Sequence, residues 1–162
     1  MSNLILAAAG CVVLLAQSAG TTTQPPKEKT HRMKTVTGTF DVKMLPSPPP
    51  VEGEFVRLSL DKTFAGALAG TSRVEMMASN NGTSASGGYV ALERFTGKLE
   101  GRSGSFTMQH SGIMSPGSME IKVVLTPGSG TGELEDISGT LEIRKEGKQH
   151  FYALHYEVPA KQ

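Results

Sequence analysis

Two segments of the sequence carry side chains that could move protons or hold a polar ligand. The segment "GYVALERFTG" (88–97) contains Glu93, and in "GRSGSFTMQHSG" (101–112) His110 follows Phe106 and Met108 at alternating positions. A neutral histidine can act as a general base, and an apolar cavity raises the pKa of a carboxylate toward neutral pH, so Glu93 and His110 are the candidate catalytic pair. The candidate ligand-binding residues are Tyr89, Gln109, Tyr152 and Tyr156.

His110 also has a purely structural interpretation. Buried polar groups are routinely paired, and His110 could bond Glu93, Tyr89 or a backbone carbonyl without taking part in any reaction. We favour this interpretation over proton transfer. Under both, we expect His110 to face inward, within hydrogen-bond reach of a polar group on the preceding strand.

Other kinds of site lack the residues they need. Ser103 and Ser129 have glycine neighbours but do not complete the G-x-S-x-G pattern of a hydrolase, and "GSGTG" (128–132) lacks the closing Lys-Ser/Thr of a phosphate-binding loop. His150 and His155 are five residues apart, which places them on opposite faces of a strand. We therefore predict no metal and no cofactor. A net charge of +1 without a basic patch argues against nucleic acid as a partner.

The residues that position these side chains follow a strand pattern. From residue 35 onward, runs with a period of two alternate with glycine-rich breaks, and no segment shows helical periodicity. Short connections favour antiparallel neighbours, and a sheet of this length hides its edges by closing. We predict an all-β fold, a single eight-stranded antiparallel barrel. Its strands are expected near 36–44, 54–61, 63–78, 86–97, 102–112, 118–126, 137–145 and 149–158.

The N-terminal residues have a different composition. An apolar stretch over 4–16 is followed by the small residues 18–20, which predicts a signal peptide over 1–20. The stretch is too short for a membrane span, so no stable membrane insertion is expected after cleavage. We expect a flexible linker at 21–34, the barrel at 35–158 and a tail at 159–162. This predicts a periplasmic or secreted protein, or a cytoplasmic one if translation starts at Met33.

Several motifs resemble those of a known family. They are "GTFDV" (38–42), "YVALERFTGKLEGRSGSFTMQHSGIMSPG" (89–117), "PGSGTGELEDISGTLEI" (127–143) and "HFYALHYEV" (150–158). Together they are similar to the bacterial domain-of-unknown-function family 3224. The resemblance implies a barrel like that of plant allene oxide cyclases, which bind apolar intermediates inside. It implies no established activity and no agreed catalytic residues.

Two functions from different classes remain open. The first is an exported barrel that binds a small, largely apolar molecule in its interior without changing it. The second is a cofactor-free isomerase or cyclase of the allene oxide cyclase type. An interaction module with a filled core is a third possibility. The sequence does not decide whether the protein is an enzyme, or what its oligomeric state is.

Overall fold

The structure is a computed structural model, which describes residues 32–49, 51, 55–79 and 86–159. Over these residues each strand pairs antiparallel with the next, and the last pairs with the first, so that the sheet closes. The predicted all-β, eight-stranded antiparallel barrel is confirmed. The strands are β1 (Lys34–Met44), β2 (Val56–Gly66), β3 (Leu68–Ala78), β4 (Gly87–Leu99), β5 (Arg102–Ser115), β6 (Ser118–Leu125), β7 (Ser138–Glu146) and β8 (Gln149–Glu157).

The boundary between β2 and β3 differs from the sequence prediction. The pattern predicts runs over 54–61 and 63–78 with a break at Lys62, but in the structure β2 continues to Gly66 and the chain reverses at Ala67. Gly66 has a φ of 111°, a left-handed value that glycine adopts without strain. A charged residue between two apolar runs is typical of a turn, but Lys62 lies inside β2 with its side chain buried.

Large side chains fill the half of the barrel that holds the β2–β3 and β4–β5 turns, which we call the filled half. The ring centroid of Phe95 lies 5.7 Å from that of Phe64 and 5.0 Å from that of Phe106. The connection between β6 and β7 folds over this end and buries Leu134 and Ile137. Burial of each large apolar side chain stabilises the fold by about 1.5–3 kcal/mol. The filled half therefore supplies most of the packed core.

The opposite half, which holds the β5–β6 and β7–β8 turns, is less completely packed, and we call it the open half. Cross-strand partners share a face of the sheet, so the pairing of Val42 with the buried Lys62 places Val42 on the inner face. Val42 is nevertheless 37% exposed, as is Ile121, and Met44 is 53% exposed. Inward-facing apolar side chains at this end thus remain accessible.

The strands β6 and β7 form the least extensively paired contact in the barrel. These strands share one paired position, Val124 with Thr140, whereas β5 and β6 pair along the whole of β6. The first five residues of β6 are all exposed. The two strands therefore separate toward the open half, which widens access to the interior from that end.

The leader predicted at 1–20, most of the linker at 21–34 and the last residues of the tail lie outside the described residues. Within the described part of the chain, no helix is long and apolar enough to cross a membrane.

Candidate ligand-binding site

Four polar side chains meet inside the barrel, where the filled half gives way to the open half. Lys62 on β2, Ser72 on β3, Glu93 on β4 and His110 on β5 are all buried. Lys62 Nζ and Ser72 Oγ each donate a hydrogen bond of 2.5 Å to a carboxylate oxygen of Glu93. His110 Nε2 lies 2.9 Å from Glu93 Oε2. We call these four residues the polar cluster.

The register of the strands brings the polar cluster together. Lys62 and Ser72 are direct cross-strand partners. Ser72 and His110 are each two residues from the direct partner of Glu93 on their own strands, so both are its diagonal neighbours. Diagonal neighbours on one face of a sheet are within reach of long side chains. Four consecutive strands therefore each contribute one residue to the polar cluster.

The pKa of the Glu93 carboxyl is lowered from its ordinary value. Burial alone would raise this pKa, but the close approach of His110 and the hydrogen bond and charge of Lys62 outweigh burial. This differs from the sequence-based expectation that apolar surroundings raise the pKa of Glu93 toward neutral. A carboxylate with a lowered pKa is a weak base, and Glu93 is suited to hold the Lys62 and His110 side chains in place.

The contact between His110 and Glu93 is close but poorly aligned. Although the two atoms are 2.9 Å apart, His110 Nε2 has no well-aligned hydrogen-bond partner among the described residues. Buried polar atoms usually have one, so this nitrogen has capacity for a further interaction. The prediction that His110 faces inward, beside a polar group of the preceding strand, is confirmed. The catalytic roles of His110 and Glu93 stay predictions.

Tyr152 and Tyr156, two of the predicted ligand-binding residues, form hydrogen bonds with the turns at the end of the filled half. The Tyr152 hydroxyl accepts a hydrogen bond of 2.9 Å from the backbone N–H of Leu68, immediately after the β2–β3 turn. The Tyr156 hydroxyl donates a hydrogen bond of 2.6 Å to Glu100 in the β4–β5 turn. Burial and this bond raise the pKa of Tyr156. Both hydroxyls thus hold turns in place, away from the open half.

Gln109 and Tyr89 lie on opposite sides of the wall. Gln109 is exposed on the outer face, because its neighbours Met108 and His110 point inward, and so it does not fit the predicted role in an interior site. Tyr89 faces the open half, where its ring covers Gly112 so closely that a side chain at position 112 would clash with it. Burial and the charge of Glu93 raise the pKa of Tyr89.

An apolar groove of about 940 Å³ lies at this end of the barrel. The groove crosses the rim of the barrel, because its lining includes Tyr89, Gly112 and Ile121 together with outward-facing side chains such as Met77 and Ile113. This volume is within the range of about 300–1,000 Å³ that small-molecule sites occupy. The groove can therefore accept a ligand with a substantial apolar surface.

Lys62 and Ser72 are the members of the polar cluster that sequence reasoning misses. A signal for Lys62 exists, because it alternates with Leu60 and Phe64 on the inward face of β2. Ser72 likewise alternates with Val74 on β3. A polar residue in phase with an apolar face indicates a buried partner, since an isolated buried charge is costly.

Within the residues that the structure describes, no three His, Cys, Asp or Glu side chains are grouped so that they could hold a metal ion. The polar cluster contains one carboxylate and one imidazole, and its amine belongs to a lysine, which does not usually bind metals. The arrangement is that of an ion pair network beside an apolar opening.

Comparison with known proteins gives a family and a fold. Residues 36–156 match the family model described as protein of unknown function, DUF3224. A crystal structure of a DUF3224 protein of unknown function from Shewanella oneidensis MR-1 is similar, with 42% sequence identity and a TM-score of 0.71. The match covers 80% of this chain and 100% of the Shewanella chain. No curated protein matches the sequence.

Proposed function

The chain belongs to the DUF3224 family, and we propose that its barrel binds a small, largely apolar molecule in the open half. The observation that carries this proposal is the exposure of apolar side chains that face inward. A barrel with a filled interior buries its inner face at both ends, whereas here Val42, Met44 and Ile121 remain accessible. Removing apolar surface from water is worth about 25 cal/mol per Å², so a ligand that covers these side chains gains affinity.

The polar cluster lies at the inner end of this site and supplies its polar groups. Ligand sites are mostly apolar with a few placed polar groups that fix orientation. His110 Nε2 and the remaining N–H groups of Lys62 are such groups, because the described residues provide Lys62 with one hydrogen-bonded acceptor, Glu93. Tyr89 adds an aromatic ring to the wall above them.

A neutral fluorescent probe tests the proposal. N-phenyl-1-naphthylamine brightens in apolar sites, and titration into the full chain should give saturable binding. Replacing an inward-facing apolar residue, Ile121→Gln, should weaken binding by about fivefold to twentyfold because it removes apolar contact area. The matched control is Leu92→Gln, which changes a side chain on the outer wall that is 57% exposed.

The two variants separate the possible outcomes. Weaker binding in Ile121→Gln alone supports a site in the open half. Equal weakening in both variants would place the probe on the outer wall and overturn the proposal, as would the absence of saturable binding in the unmodified chain.

The alternative is a cofactor-free isomerase or cyclase, and the approach of His110 to Glu93 is the observation that favours it. The lowered pKa of Glu93 counts against it, because a weaker base abstracts a proton less readily. A bound molecule recovered unchanged after incubation supports a binding protein. Recovery of an isomer of equal mass, lost in His110→Gln, would support the enzyme.

We also propose that the protein is exported, on the basis of the apolar stretch over 4–16 and the small residues that follow it. N-terminal sequencing of the protein from its host should find a chain that begins between residues 19 and 22. A cytosolic chain that begins at Met33 would contradict export.

A further inference from the structure

On the described strands, the inner face of the open half carries two lysines and two histidines but one carboxylate. Besides Lys62 and His110, His150 faces inward from β8 as the direct partner of Phe40, and their rings are stacked with centroids 5.0 Å apart. Lys145 is the partner of His150 across β7 and β8. On the described strands, the carboxylate that faces this half of the interior is that of Glu93.

Lys62, Lys145 and His150 are close enough to influence one another. Lys62 Nζ lies 5.0 Å from the ring centroid of Phe40, the same ring on which His150 stacks. Burial lowers the pKa of His150, and the charges of Lys145 and Lys62 lower it further. Asp41, which is exposed on the outer face of β1, opposes this effect in part. The lowered pKa favours the neutral imidazole of His150, which can still donate one N–H, so the positive charge on this side is that of the lysines.

Glu93 is the counter-ion of Lys62 and is fully engaged within the polar cluster. Its two carboxylate oxygens accept hydrogen bonds from Lys62 and Ser72 and contact His110. Tyr89 on β4 lies across the barrel from His150 on β8, and Ile121 on β6 lies across from Lys62 on β2. A molecule that fills the open half therefore meets apolar side chains on one side and the N–H donors of Lys62, Lys145 and His150 on the other.

We propose that the ligand of the open half is an amphiphile with one acidic group, which Lys62, Lys145 and His150 recognise while the apolar body lies against Tyr89 and Ile121. This inference rests on the proposed binding function and names the chemical class of the ligand. Hydrogen bonds between charged groups are about twice as strong as those between neutral groups, which gives the acidic group a defined end of the site.

Two probes with the same aromatic skeleton test this inference. N-phenyl-1-naphthylamine is neutral, and 8-anilinonaphthalene-1-sulfonate carries one sulfonate. Their dissociation constants are measured on the full chain and on variants, and the ratio of the two constants is compared, so that intrinsic differences between the probes cancel. Lys145→Gln should lower the relative preference for the sulfonate by about threefold to tenfold because it removes a charged contact, and His150→Phe should lower it by about threefold because it removes an N–H donor.

The control is Lys43→Gln, which removes an equal charge from the outer face of β1. Lys145 and Lys43 are both exposed, so neither variant should disturb folding, and circular dichroism checks this. An unchanged ratio in both test variants, with both probes still bound, would overturn the acidic-ligand inference alone. An equal loss in Lys43→Gln would overturn it too, because the effect would then reflect net charge. Failure of both probes to bind the unmodified chain would instead overturn the proposed function.

Discussion

Replacement of Glu93 by glutamine removes one negative charge from the centre of the polar cluster and leaves the side-chain shape almost unchanged. In the native barrel this carboxylate accepts hydrogen bonds from Lys62 and Ser72 and lies beside His110. The variant leaves the Lys62 ammonium buried without a counter-ion. Breaking a buried ion pair from one side costs about 3–5 kcal/mol, so we expect Glu93→Gln to lower the free energy of unfolding by that amount. This is a large share of the roughly 5–15 kcal/mol that stabilises a typical domain.

Urea denaturation followed by circular dichroism measures this loss, and the β-sheet signal is the suitable probe because the chain has no tryptophan. The midpoint should fall while the slope with denaturant stays constant, since the surface exposed on unfolding is the same. The matched control is Asp61→Asn, which breaks the exposed pair between Asp61 and Arg73 on the outer wall. Exposed pairs contribute about 0–1 kcal/mol, so this control should change stability little.

A loss below about 1 kcal/mol in Glu93→Gln, equal to that of Asp61→Asn, would refute the reasoning. It would mean that Lys62 reaches water or another acceptor in the folded protein, and that Glu93 is not its essential counter-ion.

Three further predictions follow from the same contacts. The pKa of Glu93 is lower in the folded than in the unfolded chain, so the stability that its charge contributes is complete above the unfolded pKa of about 4.3 and is lost as the pH falls through the folded pKa. The difference in unfolding free energy between the native chain and Glu93→Gln should therefore become smaller in urea titrations at acid pH. A larger difference at acid pH would contradict this prediction. Tyr152→Phe should cost about 1–3 kcal/mol in urea denaturation, because it leaves the Leu68 N–H without its hydroxyl acceptor, and a loss near zero would show that this bond is dispensable. Gly112→Ala should push the Tyr89 ring into the open half and weaken binding of N-phenyl-1-naphthylamine by about fivefold, with unchanged affinity counting against a site at Tyr89.

The alternation of residues predicts the barrel and the central pair of the polar cluster. A period of two assigns each strand residue to a face, so His110 is placed inward by Phe106 and Met108. The short "LEGRSG" connection makes β4 and β5 antiparallel neighbours, which brings Glu93 within reach of His110. Both inferences use neighbours along one strand or across one turn, where the chain itself sets the geometry.

Contacts between distant segments are not predicted in this way. Tyr152 is 84 residues from the Leu68 amide that it binds, and nothing in the local pattern indicates that its hydroxyl reaches a turn instead of a ligand. Lys62 shows a second reason why such contacts are not predicted. Its charge suggests a turn, and its burial on the inner face is explained by the opposite charge of Glu93, which lies on another strand. Register across strands therefore determines which polar residues meet.

A double substitution separates the structural role of the polar cluster from its proposed role in binding. Exchanging a buried ion pair for apolar residues of similar volume is often neutral or stabilising, so Lys62→Met combined with Glu93→Leu should recover most of the stability that Glu93→Gln loses. If Lys62 also recognises an acidic group, the double variant should keep its affinity for N-phenyl-1-naphthylamine and lose part of its preference for the sulfonate probe. A folded double variant with the full sulfonate preference would assign Lys62 a structural role and leave recognition to Lys145 and His150. Stability and selectivity are measured independently here, because an apolar replacement can restore the packing but cannot replace the charge.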